Sequence, residues 1–238
     1  MSWQERTEML LGSDALKRLS QSRALVVGLG GVGAYAAEML ARSGVGEMVL
    51  VDSDVVGESN RNRQLVALSS TVGRLKCDVL KERLMDINPE IRITTIQEYV
   101  CEDNVAELVL SAGRPDVVVD AIDTLSPKIA LIQFCLKENL RLVSSMGAGA
   151  KKDATKLHVD DISRTFQCPL AHMLRKRLHK LGIREGFKAV FSSEQPVRES
   201  VTLEESRNKK SQVGTISYMP AVFGCVCAQA AIAELIGA

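Results

Sequence analysis

The chain has 238 residues, 46% hydrophobic and 25% charged, a length and balance that suit one sizeable core and exclude a disordered or fibrous chain. Thirty Lys and Arg against 29 Asp and Glu leave a net charge of +1, which excludes a whole-molecule attraction for nucleic acid; any such partner must meet a local basic patch. The six cysteines show no framework spacing and no C-x-x-C pair, so neither a disulfide scaffold nor zinc is expected.

In chain order, the opening SWQERTEML lacks the apolar stretch of a secretory signal, and a cytoplasmic protein is expected. QERTEMLLGSDALKRLSQS reads as a helical arm with Leu10, Leu11, Leu16 and Leu19 for burial. Arg6 stands near its free end, either solvated or functional. Next comes ALVV, a β-branched run that drives into Gly28-Leu29-Gly30-Gly31-Val32-Gly33 and then into the helical AYAAEMLARSG. Strand, glycine turn and helix in that order favour a nucleotide: the glycines permit a tight turn and let backbone N–H groups meet phosphate.

EMVLVDSD is the second strand, ending in Asp52 and Asp54. Asp52 lies 19 residues past Gly33, where a doubly wound fold presents a carboxylate to ribose. VVGESNRNRQ then separates the possible nucleotides. A triphosphate demands cations that a dinucleotide pyrophosphate does not, and Arg61 and Arg63, flanked by Asn60, Asn62 and Gln64, supply fork-shaped donors. The alternative is a polar loop with two solvated arginines. GRLKCDVLKERLMDINP is an amphipathic helix whose first turn holds Lys76, a position that opposes the helix dipole and hints at an anion in front of it.

IRITTI and PDVVVDAID are further strands separated by a helix, the second apolar enough for burial on both faces. It leads to Asp123 and Thr124 at the crevice end of a parallel sheet, facing the glycine loop. Two anions there would repel unless Mg²⁺ bridges them, so Asp123 is read as a Mg²⁺ ligand, the alternative being a cap for the helix near Ser126. LSPKIALIQFCLKENL is that helix and RLVSSMGAGA the fifth strand.

Beyond it follow an extra strand and turn, the basic helix CPLAHMLRKRLHKLGI, the strand KAVFSSE, and a polar stretch over 194–214 expected to be a mobile loop. Arg175, Lys176, Arg177, Lys180 and Arg184, with Arg207, Lys209 and Lys210, are the contacts available to nucleic-acid phosphate, or simply solvated charges. The closing YMPAVFGCVCAQAAIAELIGA is read as a buried packing helix, with membrane association as the minor alternative, and tight packing is expected of Cys225 and Cys227. The whole is one α/β domain with a doubly wound, Rossmann-like, mostly parallel sheet: a nucleotide-binding core over 1–150 and a strand-and-helix extension over 151–238.

GLGGVG, VDSD, SNRNRQ, GRLKCDVLKERL and DAID, in this order and spacing, resemble the adenylyltransferase domain of the ubiquitin-activating-enzyme-like family, which activates carboxylates with ATP. The resemblance implies that Gly31 and the glycine loop hold ATP, that Asp52 binds ribose, that Asn60, Arg63 and Lys76 bind phosphates, and that Asp123 holds Mg²⁺. It also implies a homodimer in which Arg6 reaches the other subunit's site. RTEMLLG, DISRTFQCPLAHMLRKRL, VFSSEQP and GTISYMPAVFG are similar to the branch of that family that acts on tRNA, cyclising a threonylcarbamoyl group on the adenosine next to the anticodon. A ubiquitin-like sulfur carrier is the alternative substrate. A nicotinamide-dependent oxidoreductase and a silent nucleotide-binding scaffold are disfavoured by Asn60, Arg63 and Lys76. A monovalent cation and a cysteine desulfurase or sulfur-acceptor system stay open, as does a thioester role for Cys168.

Overall fold

The computed structural model describes residues 2–203 and 211–237. In chain order its elements are α1 Glu5–Leu11, α2 Ser13–Gln21, β1 Arg23–Val27, α3 Gly33–Arg42, β2 Glu47–Val51, α4 Lys76–Ile87, β3 Arg92–Ile96, α5 Val105–Leu110, β4 Val117–Asp120 and α6 Leu125–Lys137. There follow β5 Leu142–Ser145, β6 Leu157–Asp161, α7 Pro169–Lys180, β7 Lys188–Ser192, β8 Val201–Leu203, β9 Ser211–Val213 and α8 Tyr218–Ile236.

Seven strands form one sheet in the order β3-β2-β1-β4-β5-β7-β6, parallel except for β6, which runs antiparallel to β7. Strand β1 shows why: Ala24 and Val26 enter one core, Leu25 and Val27 the other, so both faces need cover. One face carries α3, α4 and α8, the other α5, α6 and α7. The order reverses between β1 and β4, and their ends are level, Val27 lying opposite both Val51 and Asp120. Ligands of doubly wound sheets bind beyond the strand ends at that switch point.

Helix α8 is long and apolar enough, by length and composition, to cross a membrane. Here it packs along α3 and over β4 and β5. Close approach requires Gly224, where a Cβ would come within 2.4 Å of the Val32 carbonyl. The packing expected of the cysteine pair holds for Cys227, which is buried, while Cys225 is exposed.

Two expectations meet a different arrangement. The N-terminal arm is two helices broken at Gly12, whose φ of 84° ends α1; Leu19 of α2 is buried, but α1 buries no residue and its Leu10 is 83% exposed. Within the 194–214 stretch expected to be a mobile loop, β8 and β9 pair antiparallel, with Gly214 N–H donating to the Ser200 carbonyl (2.7 Å) and Ala150 N–H to the Gly214 carbonyl (2.8 Å), while 204–210 lie outside the described residues. Backbone pairing needs no apolar periodicity, which is why the polar sequence concealed it.

Candidate active site

A crevice of about 400 Å³ lies beyond the strand ends. Its floor is the glycine turn. Gly28, at φ 88°, leaves β1 in a left-handed conformation; a Cβ there would sit 2.9 Å from the Ala121 carbonyl, and one on Gly33 would sit 1.8 Å from the Gly28 carbonyl. Only glycine permits this turn. It delivers the chain to the start of α3, whose first turn has no capping side chain and no acidic residue. The free N–H groups and the positive end of the helix dipole there suit an anion.

Asp52, at the end of β2, braces the turn. Its carboxylate accepts the N–H of Leu29 at 2.6 Å and that of Asp54 at 2.8 Å. Burial pushes this carboxyl above the usual range, and attraction to Lys76 and the two backbone donors offset part of that effect. Lys76 is nearly enclosed, its side chain 6% exposed, and its Nζ lies 2.8 Å from Asp54 Oδ2. So the anion in front of this lysine within the chain is a carboxylate, which removes the dipole penalty. Two ammonium donors remain for a ligand.

The loop after β2 contributes Asn60, Arg63 and Gln64 to the lining. Asn60 shapes the loop by accepting Gly57 N–H at 3.0 Å. Arg63 Nη1 donates to the Ser59 carbonyl at 3.0 Å and to Asn62 Oδ1 at 2.8 Å, which aligns its guanidinium along the wall. Gln64 Oε1 is buried with no hydrogen-bond partner among the described residues. Such an atom costs about 1–3 kcal/mol and marks where a ligand donor belongs. Arg61, expected beside Arg63, pairs instead with Glu58, because the 3₁₀ turn over Glu58–Asn60 points it outward.

Gly30, Gly31, Asp123 and Thr124 also line the crevice. Arg6 does not: it is exposed on α1 and takes no part in the lining. Among the described residues no three His, Cys, Asp or Glu side chains gather as a metal cluster.

Behind Asp123 stands a group that the sequence reading missed. Lys128 of α6 and Asp120 of β4 form an ion pair at 2.7 Å, each side chain 0% exposed. Lys128 Nζ donates to the Ile122 carbonyl at 3.0 Å, Asp120 Oδ1 accepts Ile122 N–H at 3.1 Å, and Ser144 Oγ donates to Asp120 Oδ2 at 2.6 Å. Both polar groups of the Ile122 backbone are thereby held, one residue before Asp123. A lysine inside an apolar helix such as SPKIALIQF was the available signal.

The far wall, Gly147 to Gly149 after β5, is backed by buried Lys151, whose Nζ donates to the Gly147 carbonyl at 2.7 Å and whose ammonium is destabilised by burial. Cys168, buried, lies behind the same wall: its Sγ is 3.9 Å from where a Cβ on Gly147 would be. Of the basic residues on α7 and after it, Lys176, Arg177, Lys180 and Arg184 are exposed. Arg175 departs from that expectation, because its Nη1 is turned inward onto the Thr165 carbonyl at 2.7 Å. Arg207, Lys209 and Lys210 fall outside the described residues.

Comparison with known proteins follows the same lines. The sequence model of the ThiF family matches residues 4–238. The chain is 41% identical to the tRNA threonylcarbamoyladenosine dehydratase of Bacillus subtilis over 97% of this chain and 93% of that protein. The crystal structure of the Escherichia coli tRNA N6-threonylcarbamoyladenosine dehydratase in complex with ATP superposes with a TM-score of 0.89 at 38% identity, covering 99% of this chain and 95% of that one. The sulfur carrier protein ThiS adenylyltransferase of E. coli is 34% identical over 57% of this chain and 53% of its own length.

Proposed function

The chain belongs to the ThiF family, and on that premise we propose that it is an ATP-dependent enzyme that cyclises threonylcarbamoyladenosine in tRNA. The observation that carries the nucleotide half is the meeting of the uncapped α3 N-terminus with Arg63 and Lys76 around one crevice. Fixed positive groups on three sides suit a triphosphate better than a dinucleotide. The tRNA half rests on likeness to the dehydratases over nearly the whole chain, against which the sulfur-carrier enzyme matches 57% of it.

In this reading Asp52 accepts the ribose hydroxyls with the lone pairs its backbone donors leave, Gln64 Oε1 accepts a ligand N–H or O–H, and Asn60, Arg63 and Lys76 hold the phosphates. The threonyl carboxylate attacks the α-phosphorus of ATP and pyrophosphate leaves. Both reactants are anions, so the barrier falls chiefly through positive groups aimed at the charge that builds on the phosphoryl oxygens. The resulting acyl-adenylate has AMP as its leaving group. Attack from within the same side chain closes the ring, and tethering supplies much of the rate because the nucleophile is already beside the carbonyl. The oxygen lost from the carboxylate leaves on AMP, so the nucleoside is shortened by one water.

Mg²⁺ fits this donor set. Asp123, the carboxylate of the crevice lining on the β4 side, would hold the ion together with phosphate oxygens of the bound nucleotide. When bound it neutralises phosphate charge. We further propose a homodimer in the cytoplasm in which the partner subunit's Arg6 completes the phosphate site. Support comes from the place of Arg6 on an arm that exposes Trp3, Met9 and Leu10.

The test is incubation of purified protein with ATP, Mg²⁺ and tRNA carrying threonylcarbamoyladenosine, followed by nucleoside mass analysis. Dehydrated nucleoside with stoichiometric AMP is expected; exchange of pyrophosphate only on addition of a sulfur carrier would transfer the assignment to that class.

A further inference from the structure

At the edge of the sheet, where β6 flanks β7, three rings pack together. Phe191 of β7 is buried, Phe166 meets it edge-on with centroids 5.3 Å apart, and His158 of β6 stacks against both, at 5.4 Å from Phe191 and 5.8 Å from Phe166. Phe166 is nevertheless 49% exposed, and His158 is exposed as well. These rings are fixed. His158 Nε2 is paired with Ser193 Oγ at 2.9 Å, Thr165 is held by Arg175, and Gln167 takes a left-handed φ of 58°. A large apolar ring immobilised with one face in water is costly for the protein and useful for stacking.

We infer that the exposed faces of Phe166 and His158 form a stacking platform for an unpaired base of the tRNA anticodon loop, next to the reacting adenosine. The inference rests on the tRNA reading above and extends it to how the RNA is held. Position supports it: Phe166 is two residues from Cys168, which backs the Gly147 wall, and four from Leu170, which lines the crevice. Charge supports it too. Lys156 and Arg164 flank the rings with side chains 52% and 75% exposed. They form exposed ion pairs, 3.4 Å from Asp153 and 3.5 Å from Asp160, and an exposed pair costs little to exchange for a phosphate contact. Lys176, Arg177 and Lys180 of α7, which follows Phe166 in the chain, are exposed as well. The partner's chemistry matches, because proteins read RNA loops by splaying bases onto aromatic faces beside a basic track.

The test compares three proteins on the same threonylcarbamoyladenosine-containing tRNA: the unaltered enzyme, Phe166→Ala, and Phe166→Trp, whose added fluorescence is read against that of the unaltered enzyme. Loss of one base stack predicts a rise of roughly tenfold in KM for tRNA in Phe166→Ala, with kcat within about twofold and ATP affinity unchanged. The Phe166→Trp protein should keep the unaltered KM, and its fluorescence should be quenched by an anticodon stem-loop. An unchanged KM in Phe166→Ala, or fluorescence indifferent to RNA, overturns the platform. So does dissociation of a dimer by Phe166→Ala in sedimentation, which would make the ring a contact between copies. Failure of the unaltered enzyme to convert the tRNA would instead overturn the tRNA reading itself.

Discussion

Replacing Lys128 with methionine keeps the length of the side chain and removes its charge from a site that water does not reach. Asp120 would then stay buried with only Ser144 Oγ and Ile122 N–H to satisfy it. Breaking a buried pair from one side costs about 3–5 kcal/mol, since a lone charge is left in low dielectric. In a chain of this length 1 kcal/mol lowers the melting temperature by about 2–4 °C, so Lys128→Met should melt roughly 10 °C early. Adding Asp120→Asn removes the stranded charge, and the double variant should recover most of the loss, with a coupling of about 2–3 kcal/mol in the mutant cycle. Recovery of stability should not restore activity. The Ile122 carbonyl loses its ammonium, the backbone that leads to Asp123 shifts, and turnover falls by up to ~10²-fold, the scale of an ångström of misplacement. Thermal unfolding of the four proteins, with single-turnover AMP release, reads both effects. A Lys128→Met protein that loses under about 1 kcal/mol, or a double variant at the sum of the singles, would refute the reasoning.

Asp123→Ala and Arg63→Ala should each lower ATP-dependent turnover by at least ~10²-fold while leaving the melting temperature within a few degrees, because neither side chain is buried in the core; AMP release measures the first and calorimetry the second. Gly33→Ala, whose Cβ would meet the Gly28 carbonyl at 1.8 Å, should abolish detectable ATP binding in titration calorimetry even where the protein remains folded by circular dichroism. For pH, Glu47 is the group to follow: the Arg23 hydrogen bond, at 2.7 Å, together with Arg92 outweighs burial and holds its carboxyl below the usual 4.5. A depressed folded value adds stability above pH 4.5 that is lost as acid carries the group through its folded pKa, so Glu47→Gln should flatten the decline of melting temperature below pH 4.5.

The order of strands, turn and helices through β4 was readable because each signal is local: a β-branched run, a glycine turn, a carboxylate at a strand end. The reach of Asp52, Lys76 and Arg63 into one crevice follows from that order by the geometry of a parallel sheet. Pairings between distant segments were not readable. The antiparallel addition of β6 outside β7 and the β8–β9 pairing depend on backbone bonding, which leaves little mark on side-chain pattern. The helix position of Lys76 pointed to an anion in front of it; in the folded chain Asp54 also lies against it, a contact between residues 22 apart that spacing alone does not show. Lys128 was passed over because lysine within an apolar helix reads as a surface residue until Asp120 is seen beneath it. Arg175 looked like part of a solvated basic face and turned out to pin the Thr165 loop.

The central claim is that this crevice spends ATP on a carboxylate in tRNA. The most direct measurement is nucleoside analysis of tRNA bearing threonylcarbamoyladenosine after incubation with the purified protein, Mg²⁺ and either ATP or NAD. Loss of one water from that nucleoside with ATP alone, matched mole for mole by AMP, is the predicted result. An unchanged nucleoside with ATP, under conditions where the protein demonstrably binds the nucleotide, would contradict it.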